Sequence, residues 1–271
     1  MSVHSYLYVP GDRPDRFTRA ATSGTDAIIL DLEDAVPVQA KDEARAAAAE
    51  FVSLPSPDGT ERWVRINVGD RGTEDLAALS GAAGLTGIFL PKATPDAVAE
   101  AKGLLGELRL VALVESAAGV MSMATLAGLD RVDGLALGEI DLAADLGMSP
   151  SPDGRELWPI RLDAVVASTA RGAQPPVGPV WVDIADLDGL RSSTEELCAA
   201  GFGARQAIHP TQVAVINEAF TPGESERERA AHLIELADRA GGGVCIDDDG
   251  RMVDEAVLRT ARRILDQLKD A

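Results

Sequence analysis

With 271 residues, 46% of them apolar and only 4% aromatic, the chain suits one large α/β domain whose core is built mainly from Ala, Val and Leu. A formal net charge of −19 excludes a nucleic-acid binder, which needs a basic face, and argues against attachment to anionic lipid. Cys198 and Cys245 stand far apart with no Cys/His cluster, Met1–Tyr6 lacks a basic, apolar leader, and no run approaches the roughly 20 apolar residues that span a bilayer. The expectation is a cytoplasmic protein with reduced thiols and no membrane partner.

Short apolar runs alternate with amphipathic stretches. The runs are Tyr6–Val9, Ala27–Leu32, Trp63–Val68, Gly87–Leu90, Leu110–Val114, Gly134–Leu137, Val180–Ile184 and Gln206–Ile208. The helical candidates between them are Arg13–Ser23, Lys41–Val52, Glu74–Gly81, Pro95–Leu105, Ala117–Ala127, Leu157–Arg171, Leu187–Ala200 and Thr211–Phe220. Eight strand–helix units joined by short connections predict a closed (β/α)8 barrel over residues 1–221. An open doubly wound sheet is the alternative, weakened by the lack of a GxGxxG loop after the first strand.

Residues 222–271 do not form a ninth unit. Ser225–Arg239 is a charged helix, Gly241–Gly243 a flexible joint, and Val244–Ile246 a short apolar stretch before the turn Asp248-Asp249-Gly250. A last amphipathic helix runs from Asp254 to Leu268 with Val257, Ile264, Leu265 and Leu268 on its apolar side. This helical extension suits docking on a neighbouring subunit and packing on its own barrel equally well.

Charged residues at or just beyond the ends of buried runs carry the chemical information. Glu115 closes Leu110–Val114, Asp141 follows Gly134–Gly138, and Arg65 follows Trp63-Val64. Charge at such positions is costly to desolvate unless it is partnered or used. In a parallel barrel all these ends open on one face. Glu115 and Asp141 have the oxygen chemistry for Mg²⁺, which takes few carboxylates and completes its shell with water and substrate; a salt bridge to Arg65 or Lys92 is the alternative for each. Arg65 offers a planar donor fork for a carboxylate or a thioester oxygen, or a structural partner for the acids of Asp31-Leu32-Glu33-Asp34. One of those acids is a candidate general base. Lys92 reads as a charge partner more readily than as a Schiff-base lysine. Arg13, Arg16 and Arg19, after the turn Pro10-Gly11-Asp12, add positive charge at a helix start where an anion is favoured. His209 alone among three histidines ends a strand, so zinc is not expected.

Taken together, Tyr8–Pro14, Ile29–Val36, Val64–Asn67, Leu90–Lys92, Val114–Gly119, Asp141–Gly147, Ala207–Gln212 and Asp249–Asp254 resemble the citrate lyase β-subunit-like family, within the HpcH/HpaI class of metal-dependent aldolases and citrate lyases. The resemblance runs in order along nearly the whole chain. It implies a TIM barrel assembled as a homotrimer or hexamer. It also implies Mg²⁺, with Mn²⁺ as a substitute, on Glu115 and Asp141, and substrate contacts from Arg65 and Glu115. Coenzyme A enters as part of an acyl-CoA substrate, and Arg13, at the anion-favouring helix start, is the candidate contact to it. Asp254, contributed by a neighbouring subunit, is the implied acid or base on the acyl-CoA methyl group, and Glu33 is the loop acid assigned to proton transfer. The implied reaction is retro-Claisen cleavage of a 3-hydroxyacyl-CoA such as citryl-, malyl- or citramalyl-CoA. A pyruvate-type aldolase acting on free 4-hydroxy-2-keto acids and a citryl-carrier-protein lyase subunit are the alternatives. One departure stands out: many relatives have an acid immediately before the metal-binding aspartate, whereas here that residue is Ile140 and the acid, Glu139, falls one place earlier.

Overall fold

The computed structural model describes residues 3–57, 59–106, 108–241 and 243–266. In chain order the elements are β1 (Ser5–Pro10), α1 (Phe17–Ala21), β2 (Ala27–Asp31), α2 (Lys41–Val52), β3 (Glu61–Arg65), α3 (Gly69–Leu79), β4 (Gly87–Leu90), α4 (Pro95–Leu105), β5 (Arg109–Val114), α5 (Ala117–Leu126) and β6 (Val132–Leu137). They continue with α6 (Glu139–Asp145), α7 (Trp158–Arg171), β7 (Val177–Gly178), α8 (Leu187–Ala200), β8 (Ala204–Ala207) and α9 (Pro210–Phe220). The last elements are α10 (Glu224–Arg239), β9 (Cys245–Ile246), β10 (Met252–Val253) and α11 (Glu255–Asp266). Strands β1 to β8 are parallel, pair in sequence order and close β8 onto β1. The chain is therefore a (β/α)8 TIM barrel followed by a helical extension. Two compact units divide it, residues 3–218 and 219–266 of those described.

Burial on both strand faces explains the unbroken apolar runs: every residue of β2 and β4 is buried. Alternate residues point into the barrel. Tyr6, Ile29, Trp63, Phe89, Val111 and Leu113 belong to one interior cluster. Three of the chain's few aromatics fill it edge-to-face, with ring centroids 5.4 Å apart for Tyr6–Phe89, 5.6 Å for Trp63–Phe89 and 6.1 Å for Tyr6–Trp63. The same period of two carries Tyr8, Asp31, Arg65 and Glu115 onto the inward face one step further along. The β2–β3 register sets Asp31 directly beside Arg65. The site is thus the top layer of the core, with charge replacing hydrocarbon.

Several boundaries follow from local chemistry. Thr94, Ser116 and Asp186 cap α4, α5 and α8 by accepting from Ala97, Gly119 and Gly189 N–H groups. Gly172 and Gly201 end α7 and α8 in left-handed conformation, with φ of 67° and 105°.

The structure corrects three expectations. The seventh strand is Val177–Gly178 rather than Val180–Ile184; in the latter run Val182 is 65% and Ile184 43% exposed. The first helix is split into a single 3-10 turn, Pro14–Arg16, and a five-residue α1. An additional helix, α6, follows β6, so Asp141 lies in a helical first turn and not at a strand end.

In the C-terminal unit β9 and β10 form a small antiparallel hairpin. Ala237, Val253 and Leu258 are buried together with Leu233, Ile234, Cys245 and Val257 against them. Ile264 and Leu265 are half-buried; Gly242 and Leu268 lie outside the described residues. No helix among those described is long and apolar enough to cross a membrane.

Candidate active site at the C-terminal end of the barrel

A cavity of about 520 Å³ opens at the C-terminal ends of the strands. Arg65, Glu115 and Asp141 all line it, together with Tyr8, Asp34 and Gln206. Its described walls hold five carboxylates (Asp31, Asp34, Glu115, Glu139 and Asp141) against one cation, Arg65.

Arg65 is gripped by the loop after β2. Its Nε and Nη2 donate to Asp31 at 2.7 and 2.6 Å, while Nη1 lies 3.2 Å from Glu33 and 3.5 Å from Asp34. Asp31 is further fixed by the backbone N–H groups of Glu33 (2.9 Å) and Ala35 (3.1 Å). Asp31 is therefore scaffolding. It consumes two of the five N–H donors of Arg65 and leaves the others directed elsewhere. The guanidinium also stacks over Tyr8, 5.2 Å from the ring centre. Tyr8 donates to Gln206 at 2.9 Å, and burial raises its phenol above the usual range, so it stays protonated.

Glu33 is buried and does not line the cavity. Oε1 accepts from Lys92 Nζ at 2.8 Å, whereas Oε2, although close to Arg65, receives no hydrogen bond. Burial raises its pKa, against the lowering effect of Lys92 and Arg65. Lys92 is thus a charge partner. Its backbone adopts φ 48°, a left-handed conformation rare outside glycine, and its N–H donates to Glu115 Oε1 at 2.7 Å. Such local strain is often held in place at a working site. Lys92 Nζ reaches Glu115 only at 4.0 Å.

Glu115 is 2% exposed. Burial, reinforced by the charge of Glu33, pushes its pKa up to about 7. Its carboxylate fits only because position 138 has no side chain: a Cβ there would lie 2.7 Å from Glu115 Cβ and 2.8 Å from Oε2. Gly138→Ala should therefore displace Glu115, destabilise the fold by about 1–3 kcal/mol and weaken metal binding, read by thermal denaturation with and without Mg²⁺. Unchanged metal-induced stabilisation would show that Glu115 has room to move. The sequence alone did not mark Gly138, because its need for glycine comes from a neighbouring strand.

Asp141 makes no side-chain hydrogen bond or ion pair among the described residues, so the salt-bridge alternative falls away for it. Glu139, two residues earlier, forms a bidentate pair with Arg161 of α7 at 2.6 and 2.7 Å. Arg13 pairs with Asp15 at 3.0 Å and is not on the cavity wall. His209 bonds Thr211 at 2.8 Å. Asp254 belongs to the other unit, where its carboxylate caps α11 by accepting from Ala256 and Val257 at 2.9 and 3.1 Å. Among the described residues no group of three or more His, Cys, Asp or Glu is arranged around a metal. A two-carboxylate centre finishing its shell with water and substrate suits Mg²⁺ better than zinc. An unpartnered Asp141 and a Glu115 held by a single backbone N–H, both facing one cavity, fit that demand.

The sequence profile of the HpcH/HpaI aldolase/citrate lyase family matches residues 4–210. The chain belongs to that family. A citrate lyase subunit beta-like protein of Mycobacterium tuberculosis is 35% identical, covering 98% of this chain and 96% of the relative. A (3S)-malyl-CoA thioesterase of Cereibacter sphaeroides is 34% identical over 96% and 93% of the two chains. Among solved structures, CitE from M. tuberculosis in complex with magnesium, acetoacetate and coenzyme A superposes with a TM-score of 0.85 at 33% identity, covering 97% of each chain. The HpcH/HpaI relationship agrees with the resemblance carried by the sequence motifs.

Proposed function

We propose that the protein is a Mg²⁺-dependent carbon–carbon lyase that splits a 3-hydroxyacyl-CoA into a keto acid or aldehyde and acetyl-CoA or a related acyl-CoA. The observation that carries this reading is the meeting, in one cavity, of a carboxylate pair open to a metal, Glu115 and Asp141, with the guanidinium of Arg65 on the same wall. The relative bound to magnesium and coenzyme A supports it.

Glu115 and Asp141 would hold the Mg²⁺. The ion supplies Lewis acidity, lowering the pKa of a substrate hydroxyl and polarising the carbonyl it becomes. Glu33 Oε2, raised in pKa and without a hydrogen bond, is the assigned proton acceptor; Asp34, on the cavity wall, is its competitor. Cleavage leaves a thioester enolate, whose oxygen Arg65 is placed to stabilise. Asp254 of a neighbouring copy returns a proton to the enolate carbon, in a homotrimeric or hexameric assembly. Arg13 contacts coenzyme A outside the cavity. Mixing Arg65→Ala and Asp254→Ala chains should restore part of the activity that each lacks alone, since some sites would then receive both intact groups. No recovery would remove the shared-site assignment.

The test of the reaction is a panel of citryl-, malyl-, citramalyl- and 3-hydroxy-3-methylglutaryl-CoA with free 4-hydroxy-2-keto acids, assayed with Mg²⁺, with Mn²⁺ and with a chelator. Metal-dependent release of acetyl-CoA or another acyl-CoA is the expected result. Turnover of free keto acids alone would move the protein to the aldolase reading. The malyl-CoA thioesterase relative favours thioester hydrolysis as a second reading; free coenzyme A would then appear with the carbon chain intact. Because Glu115 must lose its proton to bind metal, apparent Mg²⁺ affinity should fall about tenfold per pH unit below pH 7, measured by calorimetry.

A further inference from the structure

The elements after β6, β7 and β8 give the cavity wall an apolar patch beside the acids of α6, Glu139 and Asp141. Ile140 on α6 is 59% exposed and Ile208 after β8 is 37% exposed, and both line the cavity together with half-buried Val180 from the β7–α8 connection. Exposed isoleucines of this size are not explained by packing in the barrel. The charged lining is otherwise acidic, with Asp31, Asp34 and Glu115 across from the patch and Glu139 and Asp141 flanking Ile140. Arg65, the single cation among the described lining residues, already faces Asp31, Glu33 and Asp34. Glu139, the remaining acid, is neutralised by Arg161. A substrate carboxylate beside the reacting carbon can be compensated by the divalent cation. A second carboxylate on the same half of the substrate would meet either hydrocarbon or acids whose cations are already engaged, and an unpaired charge in such a place is strongly disfavoured.

We infer that Ile140, Val180 and Ile208 form a pocket for an alkyl substituent on the keto-acid half of the substrate, so that the enzyme takes substrates whose keto product bears a short alkyl group in preference to a second carboxymethyl group. The inference deepens the lyase reading and rests on it for the reaction, but its binding component can be measured separately. Ile140 is a specificity residue here: it touches the substituent and not the reacting bond.

The experiment compares glyoxylate, pyruvate, 2-oxobutyrate and oxaloacetate at one saturating free Mg²⁺ concentration. Calorimetry gives the affinity of each free keto acid, and mass spectrometry of the condensation product with acetyl-CoA gives kcat/KM. Pyruvate and 2-oxobutyrate should bind at least about tenfold more tightly than oxaloacetate, consistent with an uncompensated charge costing more than 1.4 kcal/mol. In Ile140→Ala the advantage of 2-oxobutyrate over glyoxylate should shrink several-fold while glyoxylate, which has no alkyl group, is bound as before; retained glyoxylate binding also shows that the variant is folded. Ile208→Ala should act in the same direction. Oxaloacetate binding as tightly as pyruvate, or an Ile140→Ala variant that loses glyoxylate and 2-oxobutyrate affinity equally, would overturn the pocket. Selective alkyl keto-acid binding without condensation would support the pocket and sink the lyase reading. Condensation that prefers oxaloacetate would do the reverse.

Discussion

Replacing Arg65 by alanine should lower kcat by about 10²–10³-fold, the usual cost of losing a donor aimed at developing negative charge, while Mg²⁺ affinity stays the same or rises. The asymmetry follows from the surroundings of the guanidinium. It is hydrogen-bonded to Asp31 and stands near Glu33 and Asp34, so its removal makes the cavity more negative and cannot repel a cation. The same geometry predicts a structural penalty. Asp31 is 2% exposed and would lose its only side-chain partner among the described residues, leaving a buried charge without its cation, which typically costs about 3–5 kcal/mol. Arg65→Lys separates the two effects: it restores a positive charge and part of the melting temperature, but a single ammonium cannot reproduce the two parallel bonds to Asp31. Turnover should remain low. Equal losses of kcat and Mg²⁺ affinity in Arg65→Ala would remove the assigned role, because they would place Arg65 in the metal's support and not in charge stabilisation.

Glu115→Gln should abolish metal-dependent turnover and weaken Mg²⁺ binding by at least about 100-fold, beyond what loss of an outer-shell partner causes, yet stabilise the metal-free protein at pH 8. The amide keeps an oxygen for the Lys92 N–H, so the fold is retained. The sign follows from the direction of the shift. Burial raises the folded pKa of Glu115 from 4.5 to about 7. Between those values the folded protein holds a proton that the unfolded chain has released, so stability falls as pH rises through this window and is lower by on the order of 3 kcal/mol above it. The neutral amide escapes that loss. Melting curves at pH 5 and pH 8, with and without Mg²⁺, are the measurement. The variant should melt higher than wild type at pH 8 without metal and lower once Mg²⁺ is saturating. If the order does not depend on the metal, the desolvated carboxylate at position 115 is not what the cation relieves.

The unbroken apolar runs made the first five strands legible, and with them the strand-end positions of Arg65 and Glu115. Helices α4 and α8 begin and end where their apolar spacing and capping residues place them, and α2 spans its expected residues without a side-chain cap. The failures have specific causes. Strand β7 has only two residues after the Pro175-Pro176 pair, too few to show a pattern, while in the neighbouring run Val180–Ile184 Val180 lines the cavity and Val182 and Ile184 are exposed. Helix α6 is seven residues with three acids and no side-chain cap, so neither periodicity nor a start signal announced it. The partners in the site were less legible than its members. Asp31–Arg65, Glu33–Lys92 and Glu139–Arg161 are separated by 34, 59 and 22 positions, and only strand register and tertiary packing bring them together. Lys92 was readable as a charge partner but not as the strained residue whose N–H aims Glu115.

The division of labour around the barrel also bears on how such an enzyme can diversify. The ion-paired group Asp31, Glu33, Arg65, Lys92 and Glu115 comes from the elements β2 to β5, and each member is tied to another, so a change in one disturbs the rest. Ile140, Val180 and Ile208 come from the other half of the ring and carry no such ties through their side chains. Mutational drift is therefore steered toward these three side chains: a gene duplicate can explore new keto-acid substituents there by single substitutions, with Asp141 and the ion-paired half left untouched.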